Sequence, residues 1–282
     1  MSNSYYHDTT SDLIQTALRE DLATGDITTL SVIDKDREAH GRFIAKEDGI
    51  VCGLSLIADV YHALDEEVNV VYHVPEGGRI RRGDLVAEVF GRAVSLLSGE
   101  RVALNLLQHL SGIATATSKA VEAVEGYKAR ITDTRKTTPG MRVLEKYAVR
   151  VGGGSNHRFC LADGILIKDN HIVAAGGITA AVEAARKNAP HTLKIEVEVE
   201  TRAQTEEALA AGADIIMLDN MSCPEMKECV ELIGGRAMVE ASGNMGERNL
   251  AEVAATGVDI ISIGALTHSV KALDISLKFT LL

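Results

Sequence analysis

From about residue 130 the chain repeats one pattern: a short apolar run rich in β-branched residues, a polar residue at its end, then an amphipathic stretch rich in alanine. The runs are ARITDTRK (129–136), GILIKDN (164–170), LKIEVEVE (193–200), ADIIMLDN (213–220), RAMVEASG (236–243) and VDIISIGA (258–265). The last four begin at 193, 213, 236 and 258, spacings of 20, 23 and 22 residues, which is the length of one strand–loop–helix unit. Intervening segments such as TAAVEAARKNA and ETRAQTEEALAAGA have helical spacing, and AAGA ends in the glycine expected past a helix C-terminus. Parallel strands joined by helices follow, either closed as a (β/α) barrel or laid out as an open doubly wound sheet.

The barrel is favoured because polar residues sit at the C-terminal ends of several different runs, where barrel enzymes build their sites. The run LKIEVEVE sharpens the choice. Side chains alternate along a strand, so Ile195, Val197 and Val199 face one way and Lys194, Glu196, Glu198 and Glu200 the other. An open sheet covered by helices on both faces would bury that charged side against apolar helices, at a cost of several kcal/mol per unpaired ion. A lumen lined with cations or holding a metal accommodates it. Six strands are clear, two short of a closed eight-stranded barrel.

The first 95 residues lack the repeat. Their β-like segments (HGRFIAKEDGIVCG, VNVVYHV, LVAEVFGR) lie among short helices. The stretch PEGGRIRRGDLVAEVFG is similar to the turn-rich half of a biotinyl or lipoyl domain, but the modifiable lysine at a hairpin tip is not apparent, so it reads as a structural hairpin. A helix is predicted from about Ser98 to Glu125, with Ser98 as N-cap and Leu106, Leu107, Leu110, Ile113 and Ala114 as its apolar stripe.

Of the 282 residues, 29 are Lys or Arg and 40 are Asp or Glu, a formal charge of −11, which argues against binding nucleic acid or an anionic membrane by bulk attraction. The absence of Trp and 4% aromatic content leave little to stack on bases. No apolar run approaches the roughly 20 residues that span a bilayer, and MSNSYYHDTTSDL lacks the pattern of an export signal, so a cytoplasmic protein is expected. Cys52, Cys160, Cys223 and Cys229 form no C-x-x-C pair and read as reduced thiols, mostly in the core.

Residues 130–170 reverse the overall sign. They contain Arg130, Arg135, Lys136, Arg142, Lys146, Arg150, Arg158 and Lys168 against Asp133, Glu145, Asp163 and Asp169, a local charge of +4. Arg142, Lys146 and Arg150 lie four apart and read as a solvated helix face. The others end strands or, like Arg158, follow the glycines Gly152 to Gly154, an arrangement suited to a ligand with several negative charges. Opposite them, Glu198 and Asp219 end neighbouring strands. They could hold Mg²⁺, stabilise a developing carbocation or act as acid and base; equally, they could form salt bridges with the lysines. Ser242 to Asn244 and Ile263 to Ala265 place small residues at the last two strand ends, where barrels bind phosphate through backbone N–H groups. Among His157, His171 and His268, the first has the strongest claim to function because it adjoins Arg158. The segment around Cys160 looks buried, which argues against a nucleophile.

Together, EDLATGDITT (20–29), ERVALNLLQHLSGIAT (100–115), DTRKTTPGMRVLEKYAVRVGGGSNHRFCLADGILIKDNH (133–171), EVEVET (196–201), IMLDNM (216–221), EASGN (240–244) and IGALTHSVKALDISL (263–277) closely resemble the quinolinate phosphoribosyltransferase family over nearly the whole chain. One departure is EASGN where many members read ESSGG, which bears on Asn244. The resemblance implies an N-terminal α/β sandwich (1–110, rejoined by 270–282) and an incomplete (β/α) barrel (111–269). It implies transfer of a ribosyl phosphate from phosphoribosyl pyrophosphate to quinolinate with loss of CO₂, giving nicotinate mononucleotide and pyrophosphate in NAD synthesis. Thr134, Arg135, His157, Arg158 and Lys168 would hold quinolinate, with Lys136 toward the pyrophosphate. Glu198 and Asp219 would serve the ribose and its Mg²⁺, and Ser242, Gly243, Asn244, Ile263, Gly264 and Ala265 the 5′-phosphate. Arg101 would reach the site from the partner in a homodimer. The rivals are a nicotinate-specific or molybdenum-transport-associated relative and, outside enzymes, a carrier module built on the biotinyl-like segment.

Overall fold

The computed structural model describes residues 3–282, which form two compact units. The first takes the chain up to Ser118, then Thr138–Gly153 and Val270–Leu282; the second takes Lys119–Thr137 and Gly154–Ser269.

The first unit contains α1 (Asn3–Leu22), α2 (Ile27–Val32), β1 (Glu38–Ala45), β2 (Gly49–Ile50), α3 (Leu54–His62), β3 (Asn69–Tyr72), β4 (Arg79–Ile80), β5 (Leu85–Arg92) and most of the long α4 (Ala93–Ala123). The last strand of the chain, β12 (Ile275–Leu281), returns to it and pairs with β1, completing an antiparallel sheet in the order β12-β1-β5-β3. The expected hairpin is not one. Strand β4 pairs with β2 in a separate two-stranded sheet, and a turn at Arg81–Asp84, closed by the Arg81 N–H on Asp84 Oδ2 at 2.8 Å, passes the chain to β5 in the larger sheet.

Helix α4 starts at Ala93, five residues before the expected cap, because Ala93 and Leu96 continue the apolar spacing and are fully buried; Ser98 lies inside the helix. Its stripe of Leu107, Leu110, Ile113 and Ala114 is 0% exposed, and each large side chain contributes about 1.5–3 kcal/mol relative to exposure. On its other side Gly112 lets the returning tail approach: a Cβ there would lie 2.3 Å from the Lys271 carbonyl oxygen. The tail is fixed by Leu273 N–H on Gln108 O and by the Gln108 amide on Ile275 O.

Helix α5 (Arg142–Val151), from the segment MRVLEKYAVR, belongs to this first unit, where Leu144, Ala148 and Val149 join the core. Its expected solvated face is only partly so: Arg150 is exposed, whereas Lys146 is 2% exposed and its neighbour Glu145, fully buried, pairs with His109 at 2.9 Å.

The second unit holds β6 (Arg130–Thr132), β7 (Ile165–Ile167), α6 (Asp169–Ala175), α7 (Ile178–Asn188), β8 (Ile195–Val199), α8 (Arg202–Ala210), β9 (Ile215–Asp219), α9 (Cys223–Ile233), β10 (Met238–Ser242), α10 (Leu250–Ala255), β11 (Ile260–Ser262) and α11 (Ala265–His268). Its six strands are all parallel in the order β6-β11-β10-β9-β8-β7, an incomplete (β/α) barrel. At the β6 edge a single bridge from Thr132 to Ser155 stands where a further strand would pair. The short βα connections follow from capping: Thr201 with Gln204 starts α8 and Ser222 with Glu225 starts α9, each box satisfying two end N–H groups for about 1 kcal/mol per cap. Of the four free cysteines, Cys52 and Cys229 are buried, Cys223 is intermediate and Cys160 is exposed, contrary to expectation. Among the described residues, no helix is long and apolar enough to cross a membrane.

Candidate active site

The C-terminal strand ends of the second unit surround a cleft of about 770 Å³. Of the residues singled out from sequence, Thr134, Arg135, Lys136, His157, Arg158, Lys168, Glu198, Asp219, Ser242, Gly243, Asn244, Gly264 and Ala265 line it. Ile263 does not: it is 3% exposed, and its N–H is bonded to Thr132 O. Arg101 lies exposed on α4 in the first unit and is not among the lining residues.

The charges are sorted by strand. Cations come from the two edges of the sheet, Arg135 and Lys136 after β6 and Lys168 after β7, with Arg158 on the connection between them. Carboxylates come from the three neighbouring inner strands, Glu198 on β8, Asp219 on β9 and Glu240 on β10, joined by Glu247 from the following loop. Four cations and four carboxylates therefore share one cleft.

The cationic side is held by a buried clasp. Asp133, 0% exposed, accepts the His157 backbone N–H on Oδ1 (2.8 Å) and the Asn156 amide on Oδ2 (2.6 Å), tying the end of β6 to the loop that carries Arg158. His157 Nδ1 accepts the Arg158 N–H at 2.8 Å, and its Nε2 lies 3.3 Å from Glu196 Oε2 and 3.6 Å from Glu240 Oε1. Arg158 donates from Nη1 to Gly164 O at 3.0 Å. Burial, and then the nearby Arg135, lower its pKa, while Glu196 opposes them. Lys168 Nζ is ion-paired with Glu198 Oε2, so that carboxylate has both a lysine partner and a place in the cleft.

On the carboxylate side, Asp219 Oδ2 accepts the Asn220 side-chain amide at 2.7 Å. Asn220 and Asn244 both adopt the left-handed conformation (φ 55° and 52°), uncommon for residues other than glycine and concentrated here at one site. Between them Gly243 (φ 92°) is required twice over, since a Cβ would also fall 2.3 Å from Asn220 Oδ1. Gly264 precedes α11 against Lys136 and His268, and Thr267 Oγ1 donates to Lys136 O at 2.7 Å.

Sequence reasoning missed Glu240, quoted only inside EASGN, and Asp133, counted only as a charge. Glu196 was marked as lumen-facing by strand alternation, but its partners come from other strands. Burial and the adjacent Glu196 push the Glu240 pKa up to about 7. His157, Glu196 and Glu240 form the one group of three His, Cys, Asp or Glu residues with ligand atoms within 4.8 Å of one another among the described residues.

Comparison with known proteins gives a consistent result. The family model described as "Quinolinate phosphoribosyl transferase, N-terminal domain" matches residues 26–111, and that described as the C-terminal domain matches residues 113–278. A Bacillus subtilis (strain 168) protein named probable nicotinate-nucleotide pyrophosphorylase (carboxylating) is 49% identical over 262 residues, 93% of this chain and 90% of that protein. A Nicotiana tabacum protein named quinolinate phosphoribosyltransferase (decarboxylating) 2a, mitochondrial, is 43% identical over 285 residues, covering 94% and 81%. The crystal structure of NadC from Streptococcus pyogenes, 47% identical, superposes with a TM-score of 0.90 over 96% of both chains.

Proposed function

The chain belongs to the quinolinate phosphoribosyltransferase family and transfers a phosphoribosyl group to quinolinate with loss of CO₂ in de novo NAD synthesis; we propose that its cleft divides the two substrates between its two kinds of strand end. The observation that carries this reading is the sorting of charge, with cations on the edge strands and their connection, and carboxylates on the inner ones. Arg135, Arg158 and Lys168 receive the two quinolinate carboxylates, bidentately where a guanidinium can do so, with Thr134 beside them and His157, both ring nitrogens engaged, holding Arg158 in place. Lys136 faces the pyrophosphate, and Ser242 to Asn244 with Gly264 and Ala265 receive the 5′-phosphate.

Departure of pyrophosphate leaves positive charge on the anomeric carbon. Glu198 and Asp219 on adjacent strands below the ribose stabilise that charge more than they stabilise the bound substrate, which is the condition for raising kcat. The same two groups are hard oxygen donors at neighbouring strand ends, a set that fits Mg²⁺. When bound there, the ion would offset charge on the leaving pyrophosphate. Once the pyridine nitrogen is ribosylated it is cationic and stabilises the electron pair left on the adjacent ring carbon when its C–CO₂⁻ bond breaks; that carbon then takes a proton from water, giving nicotinate mononucleotide and CO₂. Cations around that carboxylate hold it in place until it leaves as CO₂.

The chain works as a homodimer in which Arg101, exposed on α4, enters the partner's cleft. An acidic protein with four unpaired thiols suits the cytoplasm. A competition assay with quinolinate, nicotinate and phosphoribosyl pyrophosphate, read by mass spectrometry of the nucleotide products, tests the substrate. Product and CO₂ should derive from quinolinate; product from nicotinate alone would refute the assignment.

A further inference from the structure

At the floor of the cleft, two buried carboxylates, Glu240 in its lining and Glu196 beside it, have no part in the chemistry assigned so far. Glu196 on β8 and Glu240 on β10 are 5% and 1% exposed, and Oε1 of each is buried without a hydrogen-bond partner. Two carboxylates so placed cost free energy unless a positive group answers them. The groups that face them are the His157 ring, with Nε2 3.3 Å and 3.6 Å away, the Arg158 guanidinium, whose charge interacts with Glu196, and the Ser262 hydroxyl beside Glu240. A divalent cation would match the donors but would have to sit near Arg158, which already interacts with Arg135. The existing cations are the simpler counter-charge.

The geometry is a relay. Glu196 and Glu240 hold one nitrogen of His157, the other nitrogen accepts the Arg158 N–H, and Asp133 fixes the His157 backbone. Arg135 and Arg158 repel each other, and Glu196 counters that repulsion. We propose that Glu196 and Glu240 are positioning residues for the anion-binding arginines: through His157 they fix the backbone of Arg158, and the negative charge of Glu196 offsets the repulsion between Arg158 and Arg135. This rests on the reading that these arginines receive the carboxylates of quinolinate, and it extends the quinolinate machinery to the two buried carboxylates behind His157.

The test uses the full-length enzyme and its E240Q and E196Q variants, both close in size to the native side chain and checked for folding by thermal melt. Calorimetry measures binding of phthalate, an unreactive ring with two adjacent carboxylates, and steady-state assays give KM for each substrate. Phthalate affinity should fall about tenfold or more, with quinolinate KM rising in parallel, as expected when a supporting shell is loosened. The KM for phosphoribosyl pyrophosphate and kcat should stay within about threefold, a split that general loss of structure would not give. Wild-type affinity for phthalate in both variants, or an equal rise in both KM values, would overturn the proposal alone. Failure of the wild-type enzyme to bind phthalate or to use quinolinate would overturn the functional reading as well. Loss of wild-type phthalate binding in EDTA would overturn the proposal in favour of a metal ion held by the three groups.

Discussion

The ammonium of Lys168 is paired with the carboxylate of Glu198 on the neighbouring strand, so a residue assigned to quinolinate and a residue assigned to the ribose neutralise each other before either meets its substrate. E198Q removes the charge below the anomeric carbon while releasing Lys168. Its kcat should fall by about a hundredfold or more, the usual cost of deleting a preorganised group that acts on transition-state charge. Quinolinate affinity, measured by calorimetry, should stay the same or tighten. Unchanged turnover would remove Glu198 from the chemistry.

G243A should be damaging although it adds one methyl group. The new Cβ meets Asn220 Oδ1 at 2.3 Å and its backbone N at 2.6 Å, in a conformation that alanine rarely adopts. Asn220 also holds Asp219, so the clash reaches the ribose side. We expect a stability loss of roughly 1–3 kcal/mol and a higher KM for phosphoribosyl pyrophosphate. Thermal melts and initial rates check both, and a variant kinetically equal to wild type would show that the turn can relax.

The pH dependence of stability is set in part by Glu240. Its folded pKa, pushed up to about 7 by burial and Glu196, lies above the ordinary value of 4.5, so the folded chain keeps a proton that the unfolded chain releases. This contribution is fully present below about pH 4.5 and is lost as pH rises through 7. E240Q abolishes it. The variant's melting temperature relative to wild type should therefore climb between pH 5 and pH 8, by the equivalent of a few kcal/mol. A difference that is flat across that range would mean that Glu240 ionises normally.

Arg101 can be tested by mixing. If it acts in the partner's cleft, R101A and E198Q, each nearly inactive alone, should regain activity when their subunits exchange, because one mixed site then has both residues. No recovery, with exchange verified by native mass spectrometry, would place Arg101 in its own subunit's site or outside the chemistry.

The barrel was legible because its strands announce themselves twice, by β-branched runs, the last four of six at a 20-to-23-residue spacing, and by polar residues at their ends. The alternation in IEVEV also put Glu196 and Glu198 on the inner face, as found. What remained hidden depended on contacts between distant segments. Nothing local distinguishes Glu240 from an ordinary strand carboxylate, since its shifted ionisation comes first from burial in the fold and then from a residue 44 positions earlier. Lys146 carries the period of a solvated face, yet α5 is enclosed by core residues of the first unit. The β4–β5 segment has good turn signals, but local sequence does not say that β4 pairs back to β2.

The chain crosses between its two units four times, and β1 cannot complete its pairing until β12 exists: Ala39 is opposite Leu281. On a ribosome adding about 5–20 residues per second, the N-terminal sheet waits on the order of ten seconds or more, with a flank of β1 unpaired until Ile275–Leu281 has been made. Neither unit is a contiguous piece that could be inherited, truncated or expressed separately without breaking the other. Assembly of the first unit consequently waits on β12, which follows the cleft residues His268 and Ser269 by only a few positions, and that strand sets the moment at which the sheet is complete.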